Sequence, residues 1–170
     1  MKKLLLFAVV AVFGLSNMNA QGGFKVGANA ALPIGDAGDY SSFSSGVDVA
    51  YFFDVSDKFI VGAASGFTNA FGKTEDVRIG SVDVEYSYDD VQFMPIAAAA
   101  RFLATDKFYA GADLGYAIGI SDDNDGGFYY RPSIGIDMNG GSKEFNISYF
   151  AVSGDTATYS SVLAGFLILF

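Results

Sequence analysis

The stretch Phe108-Tyr109-Ala110-Gly111-Ala112-Asp113-Leu114-Gly115-Tyr116-Ala117-Ile118-Gly119-Ile120 decides the fold. On one parity stand Phe108, Ala110, Ala112, Leu114, Tyr116, Ile118 and Ile120; on the other stand Tyr109, Gly111, Asp113, Gly115, Ala117 and Gly119. Strand side chains alternate between two faces, so a period of two held this long predicts a half-buried strand and not a helix. The same alternation runs from Phe24 to Leu32, Val47 to Val55, Phe59 to about Phe71, about Phe93 to Leu103, Phe128 to Met138, Phe145 to about Ala151, and about Tyr159 to Phe170. Eight strands are expected.

The connections alternate as well. Tight polar turns fall at Ser56-Asp57-Lys58, Thr105-Asp106-Lys107 and Asn139-Gly140-Gly141-Ser142-Lys143, while the segments around Gly35 to Ser44, Gly72 to Asp90 and Ser121 to Gly127 are longer and acidic. Short turns at one end and long loops at the other are the asymmetry of a bacterial outer-membrane barrel, whose turns face the periplasm. The expected architecture is therefore all-β: an eight-stranded antiparallel up-and-down transmembrane β-barrel. Asp57-Lys58-Phe59 recurs as Asp106-Lys107-Phe108 and more loosely as Lys143-Glu144-Phe145, each placing a Phe at the first outward position after a turn. There it would join an aromatic girdle at the membrane interface.

Alternation alone leaves open which face is inside, and a soluble lipocalin-like ligand-binding barrel would turn its apolar face inward. The polar parity decides for the membrane. It is mainly Gly, Ala and Ser with isolated charges, which suits the cramped interior of eight strands better than a water-exposed surface. On this assignment Lys25, Asp48, Arg101, Asp113, Arg131, Asp137 and also Glu144 point inward. Opposite charges in a closed interior must pair or lose several kcal/mol of hydration per ion, so a lumenal network is expected around Arg101 and Arg131.

Residues 1–20 read as a secretory signal peptide, with Lys2 and Lys3 as the positive region, Leu4 to Leu15 as a short apolar core and Ala20 at the cut. Met18 stands where a small residue is usual, so the cut can move by a residue or two; Gln21 in place of Cys argues against a lipid anchor. Residues 21–170 form the barrel domain. With no Cys, no His and no Trp, the chain has no disulfide and no His- or Cys-based metal site, and 17 Phe with 10 Tyr favour strands. Removing the leader takes two of the 10 basic residues and none of the 19 acids, which disfavours a nucleic-acid partner.

The pattern resembles the OmpX-type and OmpA-type small outer-membrane barrels. The resemblance is carried by the leader, Phe93-Met94-Pro95-Ile96 with Ala97-Ala98-Ala99-Ala100-Arg101-Phe102, Phe108-Tyr109-Ala110-Gly111, and the last strand Val162-Leu163-Ala164-Gly165-Phe166-Leu167-Ile168-Leu169-Phe170. It implies an integral outer-membrane location among lipid and lipopolysaccharide. It also implies that Phe170 is the terminal signal read by the barrel-assembly machinery; a departure from some relatives, which append a periplasmic cell-wall-binding domain, is expected from the stop at Phe170. Enzymes resembling this pattern use a His, which is lacking here, so no catalytic residue, cofactor or metal ligand is assigned.

The loops remain as the working surface. Asp36, Asp39, Glu75, Asp76, Asp83, Glu85, Asp89, Asp90, Asp122, Asp123, Asp125 and Asp155 face only Lys73 and Arg78, a balance that could hold divalent cations bridging lipopolysaccharide. Asp122-Asp123-Asn124-Asp125-Gly126-Gly127 lacks the spacing and closing Glu of a calcium loop and reads as a turn with solvated charge. In the second loop Val82, Val84, Tyr86 and Tyr88 alternate with Asp83, Glu85, Ser87 and Asp89; with Val77, Ile79 and a turn at Gly80-Ser81 they predict a hairpin standing out of the barrel, with a bulge near Asp89-Asp90. Its protruding edge could pair with an extracellular protein or a neighbouring chain by strand addition. The expected function is a structural or adhesion-like surface role, with the lumen plugged by side chains. The alternative is a small porin-like leak channel, which eight strands disfavour.

Overall fold

The computed structural model describes residues 23–79, 82–122, 124–138, 140, 142–155 and 157–170, with positions 76–79 and 82–84 described by backbone alone. The leader expected at residues 1–20 and the turn expected at Gly80-Ser81 lie outside the described residues.

Eight strands form one closed antiparallel barrel: β1 (Gly23–Pro33), β2 (Ser41–Asp54), β3 (Phe59–Gly72), β6 (Val91–Leu103), β7 (Phe108–Gly119), β8 (Gly127–Met138), β9 (Lys143–Ser153) and β10 (Thr158–Leu169). Each pairs with its neighbour in sequence, and β1 pairs with β10 from Lys25↔Leu169 to Pro33↔Ser161, which removes both edges. Between β3 and β6 stand β4 (Thr74–Ile79) and β5 (Val82–Ser87), which form a separate two-stranded sheet. A single helical turn, α1 (Ala37–Tyr40), fills the first loop.

Two of the sequence expectations need correction. The second strand begins at Ser41 and not near Val47, because Ser41 to Gly46 continue the pairing with β3 although their serines carry little apolar signal. The change of parity after the hairpin is not a bulge: residues 88–90 leave the strand altogether, and the irregular register lies instead between Ser41 and Phe43.

The two tight turns that repeat in sequence are held alike. Ser56 Oγ accepts the Phe59 N–H at 3.1 Å, and Thr105 Oγ1 accepts the Phe108 N–H at 3.0 Å. A hydroxyl three residues before the Phe thus closes each turn locally. The ladders are interrupted beside the two prolines inside strands, which have no N–H to give: β3 on β6 skips Pro95, and β8 on β9 skips Pro132, while Pro33 stands at the end of β1 and keeps its pairing with Ser161. In the first gap Ser65 Oγ donates to the Pro95 carbonyl oxygen at 2.8 Å.

The faces are the reverse of a soluble barrel's. Outward positions are large and apolar, with Ile134 65% and Leu114 53% exposed, while Arg101, Asp113, Arg131 and Glu144 are buried. The lipocalin-like alternative needs the opposite arrangement and is set aside. Aromatic side chains gather at both ends of the outer wall. Phe59 and Phe102 pack at 5.1 Å at the turn end, and Phe43 with Phe71 at 6.3 Å, and Tyr130 with Tyr149 at 6.0 Å, lie nearer the loops. Phe59, Phe108 and Phe145 all face outward, as their repeat predicts.

Small inward residues make room for large ones. A Cβ on Gly135 would lie 2.3 Å from the Tyr109 ring, so this position must stay bare for Tyr109 to reach the lumen. Gly135→Val is expected to destabilise the barrel by about 1–3 kcal/mol, the usual cost of overpacking. The midpoint of urea unfolding in detergent micelles measures it, and an unchanged midpoint would mean that Tyr109 does not need the space.

Candidate functional site

Inward residues stack in three layers, set by how far along its strand each one sits. At the turn end Glu144, with no exposed surface, gathers Lys25, Arg101 and Tyr109 from three other strands. Lys25 Nζ donates to Glu144 Oε2 at 2.9 Å and lies 3.6 Å from Asp137 Oδ1, while Arg101 and the Tyr109 hydroxyl both donate to Glu144 Oε1. The Arg101 guanidinium lies 4.3 Å from the Phe52 ring centre and 4.6 Å from that of Tyr109, adding cation–π attraction to the ion pair.

In the middle layer Arg131 holds Asp48 through two hydrogen bonds, at 2.9 and 3.3 Å, and its Nε lies 3.8 Å from Asp113 Oδ2. A bidentate fork of this kind fixes both partners in one plane. Above it, toward the loops, is a layer of aromatic rings: Phe93 with Tyr159 at 5.2 Å, and Tyr129 with Phe150 at 5.3 Å.

The seven charges read as inward from sequence pair in two groups: Lys25, Arg101, Asp137 and Glu144, and Asp48, Asp113 and Arg131. Phe52 and Tyr109 complete the first group and were not singled out by sequence. Their signal was size on the inward parity, with a glycine, Gly135, opposite Tyr109.

The loop end opens into a cavity of about 550 Å³. Its rim carries Asp89, Asp90, Asp122, Asp125 and Asp155; its floor includes Phe93 and Tyr159, and Tyr40 stands at one side. The third loop is fastened to β6, where Gln92 N donates to Ser121 Oγ at 3.2 Å and Asn124 Nδ2 donates to the Gln92 carbonyl oxygen at 2.8 Å. Asp90 is fastened too, accepting from Asn69 Nδ2 at 3.0 Å and from the Gly72 N–H at 2.9 Å, bonds that hold its carboxyl below the usual carboxylate range. Lys73 donates to the Gly38 carbonyl oxygen and ties the second loop to the first. Asp123 lies outside the described residues, among which no grouping of three or more acids could hold a metal ion.

In the hairpin β5 pairs with β4 alone, from Thr74↔Ser87 to Ile79↔Val82. Tyr86 and Tyr88 are exposed and meet edge to face at 4.9 Å. Val82 and Val84 belong to β5 by backbone. Phe170, 81% exposed, ends the chain with its N–H donating to the Phe24 carbonyl oxygen at 2.8 Å.

No family model and no curated protein matches the sequence. Solved structures do match the fold. The attachment invasion locus protein Ail of Yersinia pestis is 12% identical with a TM-score of 0.50, covering 90% of this chain and 100% of Ail. Ail in complex with the heparin analogue sucrose octasulfate gives 13% and 0.55 over the same shares of each chain. Ail in a phospholipid bilayer nanodisc gives 13% and 0.50, over 88% of this chain and 100% of that one. At this identity the likeness is one of fold: a small eight-stranded barrel of the kind the sequence resembles.

Glu144→Gln would leave Lys25 and Arg101 buried without their shared counter-charge. The expected loss is about 3 kcal/mol, read as a lower urea midpoint in micelles. A midpoint equal to that of the parent protein would mean that water, and not Glu144, balances the two cations.

Proposed function

We propose that this protein is an integral outer-membrane barrel that stabilises the envelope and meets outside molecules through its loops, with a lumen plugged by side chains. The observation that carries the reading is the inverted surface, apolar on the outer wall between two aromatic belts and charged within. Such a surface is soluble only in hydrocarbon, and a closed barrel is one of the two ways a backbone crosses it without unpaired peptide groups. Residues 1–20 as a cleaved leader, and Phe170 as the mark recognised by the assembly machinery, belong to the same reading. Catalysis has no part in it.

The paired charges of two lumenal layers and the aromatic layer above them support a barrel that does not conduct. In a planar bilayer the purified protein is expected to be silent. Steady single-channel openings would overturn the plug and make the porin-like leak the better reading.

Location is tested by expressing the full precursor in a Gram-negative host and running the outer-membrane fraction on a denaturing gel with and without boiling. A band there whose mobility changes on heating is expected. A soluble periplasmic protein with no such change would sink the membrane reading.

For the surface role the hairpin is the candidate, because among the described residues β4 and β5 pair only with each other and not with the barrel. An unpaired edge can accept a strand from another protein along the backbone of Val82 and Val84 and of Tyr86 and Tyr88, with the exposed Tyr86 and Tyr88 rings contributing side-chain contacts. Replacing Tyr86 and Tyr88 with Ser is expected to weaken attachment of expressing cells to a protein-coated surface at least several-fold, while the heat-shifted band stays the same. Attachment equal to that of the parent strain would remove the hairpin from the surface role. A barrel of this fold takes a polysulfated heparin analogue. The acid-rich loops here would repel such a ligand, so partner chemistry is not inherited with the fold.

A further inference from the structure

The lumen and the mouth of this barrel share one chemistry, and only the lumen has its cation. Around Arg101 the protein assembles two aromatic rings and a carboxylate: Phe52 at 4.3 Å, Tyr109 at 4.6 Å, and Glu144 as ion-pair partner. The cavity at the loop end offers the same parts, with Tyr40, Phe93 and Tyr159 below and beside the carboxylates of Asp89, Asp122, Asp125 and Asp155. No Lys or Arg is among the described residues that line it. Asp90, the fifth acid, is already engaged by Asn69 and Gly72.

We propose that this cavity is a binding site for arginine side chains of a basic extracellular peptide segment.

Four observations support it. The volume, about 550 Å³, is that of a ligand site and not of a surface dimple. The rim is preorganised, since the third loop is pinned to β6 by Ser121 and Asn124. The carboxylates come from three loops and do not converge into any described grouping fit for a metal ion, so one small cation cannot satisfy them together, whereas an extended polycation can. Finally, the floor is aromatic: Phe93 and Tyr159, packed at 5.2 Å, are among the residues that line the cavity and offer ring faces on which a guanidinium can stack. Arginine is favoured over lysine because its planar guanidinium both stacks on aromatic faces and forks onto carboxylates.

The inference deepens the surface-interaction reading by naming the partner's chemistry, and its test does not depend on cellular location. The mature protein, folded in nanodiscs of zwitterionic lipid and checked by its heat-shifted band, is titrated with dye-labelled hexa-arginine and followed by anisotropy. Saturable binding is expected, several-fold tighter than for hexa-lysine. It should be weakened roughly tenfold in Asp122→Asn/Asp125→Asn/Asp155→Asn, about what loss of two or three partly exposed charge contacts costs. Neutralising three acids of the hairpin instead, with Glu75→Gln, Asp76→Asn and Glu85→Gln, should change it less than about twofold, because a diffuse field acts weakly at a distance in salt. Equal losses in the two triple variants, equal binding of hexa-arginine and hexa-lysine, or displacement of the peptide by equimolar calcium would each overturn the proposal. So would the absence of saturable binding to a barrel that is otherwise folded.

Discussion

A peptide group left unpaired in hydrocarbon costs several kcal/mol, and everything else in this molecule follows from meeting that constraint. The ladder between β1 and β10 meets it by joining the two ends of the sheet, so that no strand presents an edge to lipid. Where proline removes a donor, beside Pro95 and Pro132, the ladder lapses for a step and resumes in the same register. The closed sheet as a whole holds each strand in place across its local gap.

Closure with eight strands then dictates the interior. So narrow a barrel is filled by side chains, and the protein fills it unevenly, with glycine and alanine where large groups cross and with charge where they meet. Glu144 and Arg131 are each at the centre of a layer because a buried ion needs several partners at once. Glu144 has Lys25, Arg101 and Tyr109, while Arg131 has Asp48 and Asp113. Such layers fix register as well as neutralising charge, since a slip of one residue would turn every one of these groups toward lipid.

The loop end obeys different physics. Outside the membrane, peptide groups are hydrated, charges need no partner, and variation is tolerated. There the chain gathers its acids, builds a hairpin clear of the barrel and leaves a cavity between four loops. The likeness to Ail is one of fold, at 13% identity, and a shared fold does not carry the loops' chemistry with it.

The sequence by itself determined the number of strands, the order of short and long connections, the hairpin and the face each side chain takes. All of these rest on local alternation and local turn chemistry, such as Ser56 before Phe59 and Thr105 before Phe108. It missed the first residues of β2, where serines on both faces mute the alternation. Tertiary structure alone decided which inward groups meet. Glu144 finds Lys25 across 119 positions and Arg131 finds Asp48 across 83, through the way the closed sheet brings distant strands to one level. Period two says that such residues point inward, but their height depends on strand stagger and their neighbours on closure. The cavity at the mouth is likewise invisible in sequence, because its walls come from loops that only the closed barrel brings together.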